Sequence, residues 1–168
     1  MKGSIILLNG ASSAGKSTLA QAIQRVADRP ILRLSLDLFF FGSVLPPMRE
    51  KGFDWGPMKE RLLAGYYPSL AAFSRAGNDL VVDHVFESQQ DCDRMTSALD
   101  GLDVFLVGVH CPVDELERRE RARGDRRMGD ARQDFATVHS FCRYDLEIDS
   151  MLPPESNAEL ILQAWATR

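Results

Sequence analysis

Apolar runs of strand length alternate with segments of helical periodicity along the 168-residue chain. The runs predict five strands, most of them dense in Val, Ile and Leu as buried parallel strands are: 4–9, 31–35, 80–85, 104–110 and 145–149. Such alternation is typical of parallel β-α units. We therefore expect a three-layer α/β/α fold of the P-loop NTPase, nucleotide-kinase-like class. Its five-stranded sheet should be mostly parallel, within one domain spanning residues 1–168.

Helical spacing predicts the elements between these strands. Leu19, Ile23 and Val26 recur on one helical face, and Pro30 ends that helix before the second strand. Further helices are expected over residues 58–76, 88–99, from Pro112 with Leu116 inward, over part of 137–144, and from Pro154 with Leu160, Leu162 and Trp165 among its apolar positions. Residues 39–57 show no clear period, which predicts an irregular and functional segment.

Charge and cysteine usage exclude several classes of protein. The 20 basic and 24 acidic residues give a net charge of −4, so we expect neither nucleic acid nor a membrane as partner. No apolar run has the length of a membrane span. Cys92, Cys111 and Cys142 are odd in number and widely spaced, which predicts neither a disulfide framework nor a zinc site and favours a reducing cytoplasm.

The strongest motif follows the first strand. Residues 10–17 match G-x-x-x-x-G-K-[ST] at every fixed position, between a strand and an amphipathic helix. Lys16 is expected to reach the β- and γ-phosphates of ATP, and Ser17 to bind Mg²⁺. An ordinary Gly/Ser turn is the alternative. The predicted nucleotide-binding residues are Gly10, Ala11, Ser12, Ser13, Ala14, Gly15, Lys16, Ser17 and Thr18.

Two aspartates follow predicted strands at the edge where open α/β sheets bind ligands. Asp83 ends the third strand, where a carboxylate can hold the Mg²⁺ shell, or else cap a turn. Asp37 follows the second strand and is interpreted as the general base that accepts the proton of an acceptor hydroxyl. Spacing alone equally allows Asp37 to cap a short helix.

Arginines cluster after the fourth strand. Arg119, Arg123 and Arg126 are four and three residues apart and share one helical face. They predict a lid, about residues 119–133, whose cations stabilise the transferred phosphoryl group. Interleaved acids also allow a merely solvated face.

The aromatic residues of the irregular segment predict an apolar acceptor pocket, although plain core is the alternative. His84 is the histidine worth testing because it adjoins Asp83; His110 and His139 are interpreted as core or surface residues. The predicted pocket residues are Asp37, Phe40, Phe41, Trp55 and His84.

Together these features resemble the chloramphenicol phosphotransferase family over nearly the whole chain. Six groups of residues carry the resemblance. In chain order they are Leu8-Asn9-Gly10 and residues 12–17 of the glycine-rich loop; Asp37 after the second strand; Asp83 and Val85-Phe86; residues 107–109 and Cys111; residues 119–120 and 122–126; and Tyr144-Asp145 and Glu147. It implies a nucleotide-kinase-like fold and ATP-dependent transfer of a phosphoryl group to a primary hydroxyl. It also implies a role in antibiotic resistance. Asp37 would be the base and the lid arginines would contact the transferred group. His84 replaces a second acidic residue of the family, and residues 39–55 differ from it, so the acceptor stays open.

Two other functions fit the same motifs. One is another small-metabolite kinase, gluconate-like or acting on a nucleotide sugar, which would differ in its acceptor pocket. The other is a nucleotide-gated switch protein. The chain contains no N-K-x-D-type guanine signature, and it has a candidate base, so a kinase is favoured.

Overall fold

A five-stranded parallel sheet forms the centre of the protein. The computed structural model describes residues 2–41, 55–123 and 128–168. The strand order is β2-β3-β1-β4-β5, and each neighbouring pair is parallel. The strands are β1 (Ser4–Asn9), β2 (Ile31–Ser35), β3 (Asp79–His84), β4 (Asp103–His110) and β5 (Leu146–Asp149). The α/β fold class is confirmed; β1 and β2 have the predicted bounds, and the ends of the other strands differ from the prediction by at most one residue.

Helices cover both faces of this sheet. They are α1 (Lys16–Val26), α2 (Asp37–Phe41), α3 (Trp55–Arg75), α4 (Gln89–Ala98), α5 (Val113–Arg123), α6 (Asp130–Thr137) and α7 (Pro154–Thr167). Side chains alternate along β1: Ile6 and Leu8 join the core beneath α1 and α7, whereas Ile5 and Leu7 join the core beneath α3 and α4. All four are buried, so the apolar run of β1 reflects a strand that is covered on both faces.

Three predictions about the helices are wrong in detail. Residues 138–145 form turns instead of a helix, because the helix in this region lies earlier, at Asp130–Thr137. Leu160 is 45% exposed and is not part of the buried face of α7. The segment expected to be irregular, 39–57, includes the last three residues of α2 and the first three of α3, while residues 42–54 lie outside the described part of the chain.

The cysteines also correct the sequence analysis. Cys92 of α4 and Cys142 form a disulfide across a sequence separation of 50 residues, and Cys111 is a buried free thiol. The spacing of the cysteines did not predict this disulfide, because the fold brings α4 and the segment after α6 together. Within the described ranges, no helix is both long and apolar enough to cross a membrane.

Candidate active site

The loop between β1 and α1 has the backbone of a phosphate cradle. Ser13 and Gly15 adopt positive φ angles of 65° and 92°, which turn the chain tightly before α1. Gly10 packs so closely on β4 that an added Cβ would lie 2.4 Å from the carbonyl oxygen of Val109. Only glycine fits there, which explains the first fixed position of the motif.

Lys16 is held against this loop. Its Nζ donates hydrogen bonds to the carbonyl oxygens of Gly10 at 2.8 Å and Ala11 at 2.7 Å, and the residue is 8% exposed. The ammonium group is therefore fixed beside the cradle, in a position suited to an anion bound by the loop.

A cleft of about 1240 Å³ runs along the carboxyl edge of the sheet. Most of the predicted site residues lie together in its wall: Ser12, Ser13, Gly15, Lys16, Ser17, Thr18, Asp37, Asp83, His84, Arg119 and Arg123. Gly10, Ala11 and Ala14 belong to the same loop. Arg126 and the side chains of Phe40, Phe41 and Trp55 lie outside the described residues.

Asp83 is buried at the centre of this edge. The sheet register pairs it with Leu8 of β1 on one side and Ser35 of β2 on the other. Its Oδ2 atom has no hydrogen-bond partner among the described residues, although Asp83 is only 4% exposed. A buried, unsatisfied carboxylate oxygen is costly unless a ligand or cation completes it, so this atom fits a hard cation such as Mg²⁺.

Asp37 is the first residue of α2, directly beyond β2. Its backbone N–H donates to the Oγ of Ser35 at 3.2 Å, and the side chain lines the cleft. The residue is partly buried. A carboxylate at this position is accessible to a molecule bound in the cleft.

Arg119 and Arg123 of α5 lie at the cleft. Arg119 reaches the phosphate loop, where one guanidinium nitrogen lies 3.3 Å from the carbonyl oxygen of Ala14 and another lies 3.3 Å from that of Ser150. Arg123 also lines the cleft. By contrast, Arg132 of α6 pairs with Glu117 of α5 at the protein surface, as expected of a solvated face.

One carboxylate anchors the base of this arginine row. Glu115 accepts hydrogen bonds from Arg118 and Arg119 at 2.6 and 2.7 Å. These two bonds hold the pKa of the Glu115 carboxyl down at about 2. Glu115 therefore stays ionised and holds Arg119 in the direction of the loop.

His84 is a buried, neutral member of the cleft wall. Its Nε2 lies 3.2 Å from the Tyr67 hydroxyl, and burial, assisted by the charges of Lys16 and Lys59, lowers its pKa to about 3. The neighbouring Tyr66 hydroxyl is buried without a hydrogen-bond partner in the described ranges, and burial raises its pKa. This side of the cleft therefore offers uncharged hydrogen-bonding groups next to aromatic rings.

A buried amide that was not predicted as a site residue connects three segments at the site. Asn9 donates to the carbonyl oxygen of Val138 at 2.9 Å and to the hydroxyl of Tyr144 at 2.7 Å, and it accepts from the N–H of Phe86 at 3.0 Å. The sequence feature that could have pointed to Asn9 is its position directly before Gly10, the first residue of the phosphate-loop motif. Asn9 thereby ties the start of the phosphate loop to the segments after β3 and α6.

Two other features carried no signal in the sequence. His110 and His139, interpreted as core or surface residues, stack with their ring centroids 3.9 Å apart. Asp134 of α6 accepts the backbone N–H of Ser12 at 2.9 Å, which brings a carboxylate onto the phosphate loop. Both contacts join residues far apart in sequence.

Comparison with known proteins identifies the family. The model of the chloramphenicol phosphotransferase-like protein family matches residues 3–166. A protein of Mycobacterium tuberculosis, provisionally named an O-phosphotransferase and recorded in two strains, is 31% identical over 176 residues, covering 91% of this chain and 77% of that protein.

Solved structures show the same fold. The APS kinase of Mycobacterium tuberculosis, in complex with AMPPNP and APS, superimposes with a TM-score of 0.73 at 15% identity over 99% of both chains. Shikimate kinase from Acinetobacter baumannii, in complex with shikimate, gives a TM-score of 0.71 at 17% identity over 96% of this chain and 92% of that one. The chain therefore has the fold of the P-loop kinases and belongs to the chloramphenicol phosphotransferase-like family.

Proposed function

We propose that the protein is a kinase that transfers the γ-phosphoryl group of ATP to a hydroxyl of a small molecule. The observation that carries this proposal is the shared cleft: the phosphate loop with Lys16, the buried Asp83 and the accessible Asp37 all face the same space. Phosphoryl transfer requires mainly such positioning and charge stabilisation. Membership of a phosphotransferase family supports a small-molecule acceptor.

The nucleotide phosphates are assigned to the loop. The loop leads directly into α1, which begins at Lys16, and the positive end of that helix favours anions. Lys16 neutralises charge on the β- and γ-phosphates. Ser17 and Asp83 would hold Mg²⁺, which supplies charge neutralisation on the phosphate oxygens.

Asp37 is assigned as the general base. Its carboxylate accepts the proton of the acceptor hydroxyl while that oxygen forms a bond to the γ-phosphorus and the bond from phosphorus to the β-γ bridging oxygen breaks. ADP leaves with the electron pair of the broken bond. The acceptor would consequently bind in the part of the cleft that contains Asp37; His84 and Tyr67 line the same cleft.

The segment of residues 119–133 is assigned as the lid. Arg119 and Arg123 already line the cleft, and we extend the role to Arg126 from its spacing. Their cations would stabilise charge on the phosphoryl group during transfer.

We propose that the chain acts as one domain. The expected compartment remains the cytoplasm, although disulfides are rare there.

The acceptor is proposed only by class. Chloramphenicol, with a consequent role in antibiotic resistance, is the family's namesake acceptor. A gluconate-like or nucleotide-sugar kinase would use the same loop and base with a different pocket. A nucleotide-gated switch is disfavoured because an accessible carboxylate, that of Asp37, lines the same cleft as the phosphate loop.

A coupled assay of ADP release tests the proposal. ATP turnover is measured with hydroxylated antibiotics, sugars and nucleosides, with and without Mg²⁺, beside the variant Lys16→Ala. A kinase should show turnover that rises sharply with one acceptor class, yields a phosphorylated product by mass spectrometry and is lost in Lys16→Ala. Slow hydrolysis that no acceptor stimulates would instead support the switch protein.

A further inference from the structure

A carboxylate from α6 lies on the phosphate loop. Oδ2 of Asp134 accepts the backbone N–H of Ser12 at 2.9 Å, and both residues line the cleft. The two are separated by 122 residues in sequence. The backbone and the lysine of this loop suit anions, so the fixed negative charge of Asp134 is unexpected there.

The position of Asp134 is rigidly determined. Glu120 of α5 accepts the backbone N–H groups of Gly129 and Ala131, both at 2.9 Å, and so fixes the start of α6. Ala131 and Val138 are fully buried at either end of the helix. These contacts hold the backbone of α6, and with it Asp134, beside the phosphate loop.

The surroundings of Asp134 are electrostatically mixed. Burial raises its pKa, while the Ser12 N–H and the charge of Lys16 act in the opposite direction. Glu87 and Asp130 add negative charge nearby. Lys16, the cation that should attract the phosphates, is therefore partly compensated by a carboxylate that the fold itself supplies.

We propose that Asp134 is a specificity-determining residue of the nucleotide site: its hydrogen bond holds the Ser12 segment of the loop in place, and its charge weakens binding in proportion to the number of phosphates. This inference rests on the proposed binding of ATP at the loop. A carboxylate beside bound phosphates repels them more strongly as their charge grows, whereas a nucleoside without phosphate is unaffected. Limited affinity for a charged product favours its release after transfer.

Calorimetric titrations of the full chain with ATP, ADP and adenosine provide the test, using Asp134→Asn and Asp134→Ala. Asparagine keeps an oxygen that can accept from Ser12 but removes the charge. We expect Asp134→Asn to bind ATP about tenfold more tightly, ADP by a smaller factor and adenosine unchanged. Asp134→Ala also removes the hydrogen bond, so it should gain less affinity and melt at a lower temperature than Asp134→Asn.

Asp28→Asn is the control, because it makes the same substitution at an exposed aspartate beyond the end of α1 that does not line the cleft. Its ATP affinity should change less than twofold. The inference is overturned if Asp134→Asn binds ATP no more tightly than the parent protein, or if Asp28→Asn gains affinity equally. Either result leaves the kinase proposal intact as long as the parent protein binds ATP. If the parent protein binds neither ATP nor ADP, both proposals fail.

Discussion

Glu120, a buried residue of α5, caps the N-terminus of α6: its Oε1 accepts a hydrogen bond from the backbone N–H of Ala131 at 2.9 Å. The residue is only 2% exposed, and its second oxygen accepts the N–H of Gly129. A buried carboxylate is normally destabilising, but here both oxygens are satisfied by donors at a helix N-terminus, where negative charge is favourable. Glu120 is therefore the residue that sets the relative position of α5 and α6.

Removing that carboxylate should destabilise the fold. Glu120→Ala leaves two buried N–H groups without their acceptor, and we expect the free energy of unfolding to fall by about 3 kcal/mol. Urea denaturation measures this change. The control is Glu117→Ala on the same helix, whose exposed pair with Arg132 should contribute very little. Equal stability of the two variants would contradict the capping role.

Acid should weaken the protein through His139. Burial, assisted by His110, lowers the pKa of His139 from 6.5 to about 4. Between these values the unfolded chain binds a proton that the folded chain does not, so stability falls as pH decreases from 6.5 towards 4. Denaturation at pH 7.5, 6 and 5 should reveal the loss, and His139→Gln should show a shallower slope. A parallel slope in the variant would assign the effect to other groups.

Arg123 and Arg121 provide a matched test of the lid. Both are exposed on α5, but only Arg123 of the two lines the cleft. If the cation acts on charge that develops during transfer, Arg123→Ala should lower kcat by roughly 10²-fold with a smaller change in the KM for ATP. Arg121→Ala should retain the parent rate. Arg126 carries the same expectation as Arg123 from its spacing alone, and full activity of both alanine variants would make these residues a solvated face.

Local features of the fold and site could be predicted, whereas contacts between distant segments could not. The strand β1 was evident because both of its faces are buried, and the phosphate loop because its residues are contiguous. The start of α6 was missed since its cap, Glu120, lies nine residues before Gly129. The contact of Asp134 with Ser12 and the disulfide of Cys92 depend on how the sheet is assembled, which residue spacing does not encode.

Asp83 provides the test of the metal site. Asp83→Asn keeps the size of the side chain but removes the negative charge from the buried oxygen that lacks a partner in the described ranges. If this carboxylate holds the Mg²⁺ shell, the Mg²⁺ concentration for half-maximal rate should rise roughly 10–100-fold. Glu87→Gln, another acid of the cleft wall, should leave the titration unchanged. An unaltered Mg²⁺ requirement in Asp83→Asn would return Asp83 to a role in capping.

Asp37 provides the test of the general base. Asp37→Asn preserves shape and hydrogen bonding but removes the group that accepts the hydroxyl proton. We expect the rate of transfer to fall by roughly 10²–10⁴-fold, with little change in ATP affinity, because Asp37 lies beyond β2 and not on the phosphate loop. Transfer rate, ATP binding and melting temperature are measured on one preparation with the acceptor found in the screen.

Helix capping by Asp37 predicts a different result. Asparagine caps a helix about as well as aspartate, so a capping residue would leave Asp37→Asn nearly normal in both rate and melting temperature, while Asp37→Ala would lose stability. A general base predicts that both variants lose transfer and that asparagine keeps the stability. Because Asp37→Asn should be stable under either role, its rate separates them, and transfer near the parent rate in that variant would remove Asp37 from the chemistry.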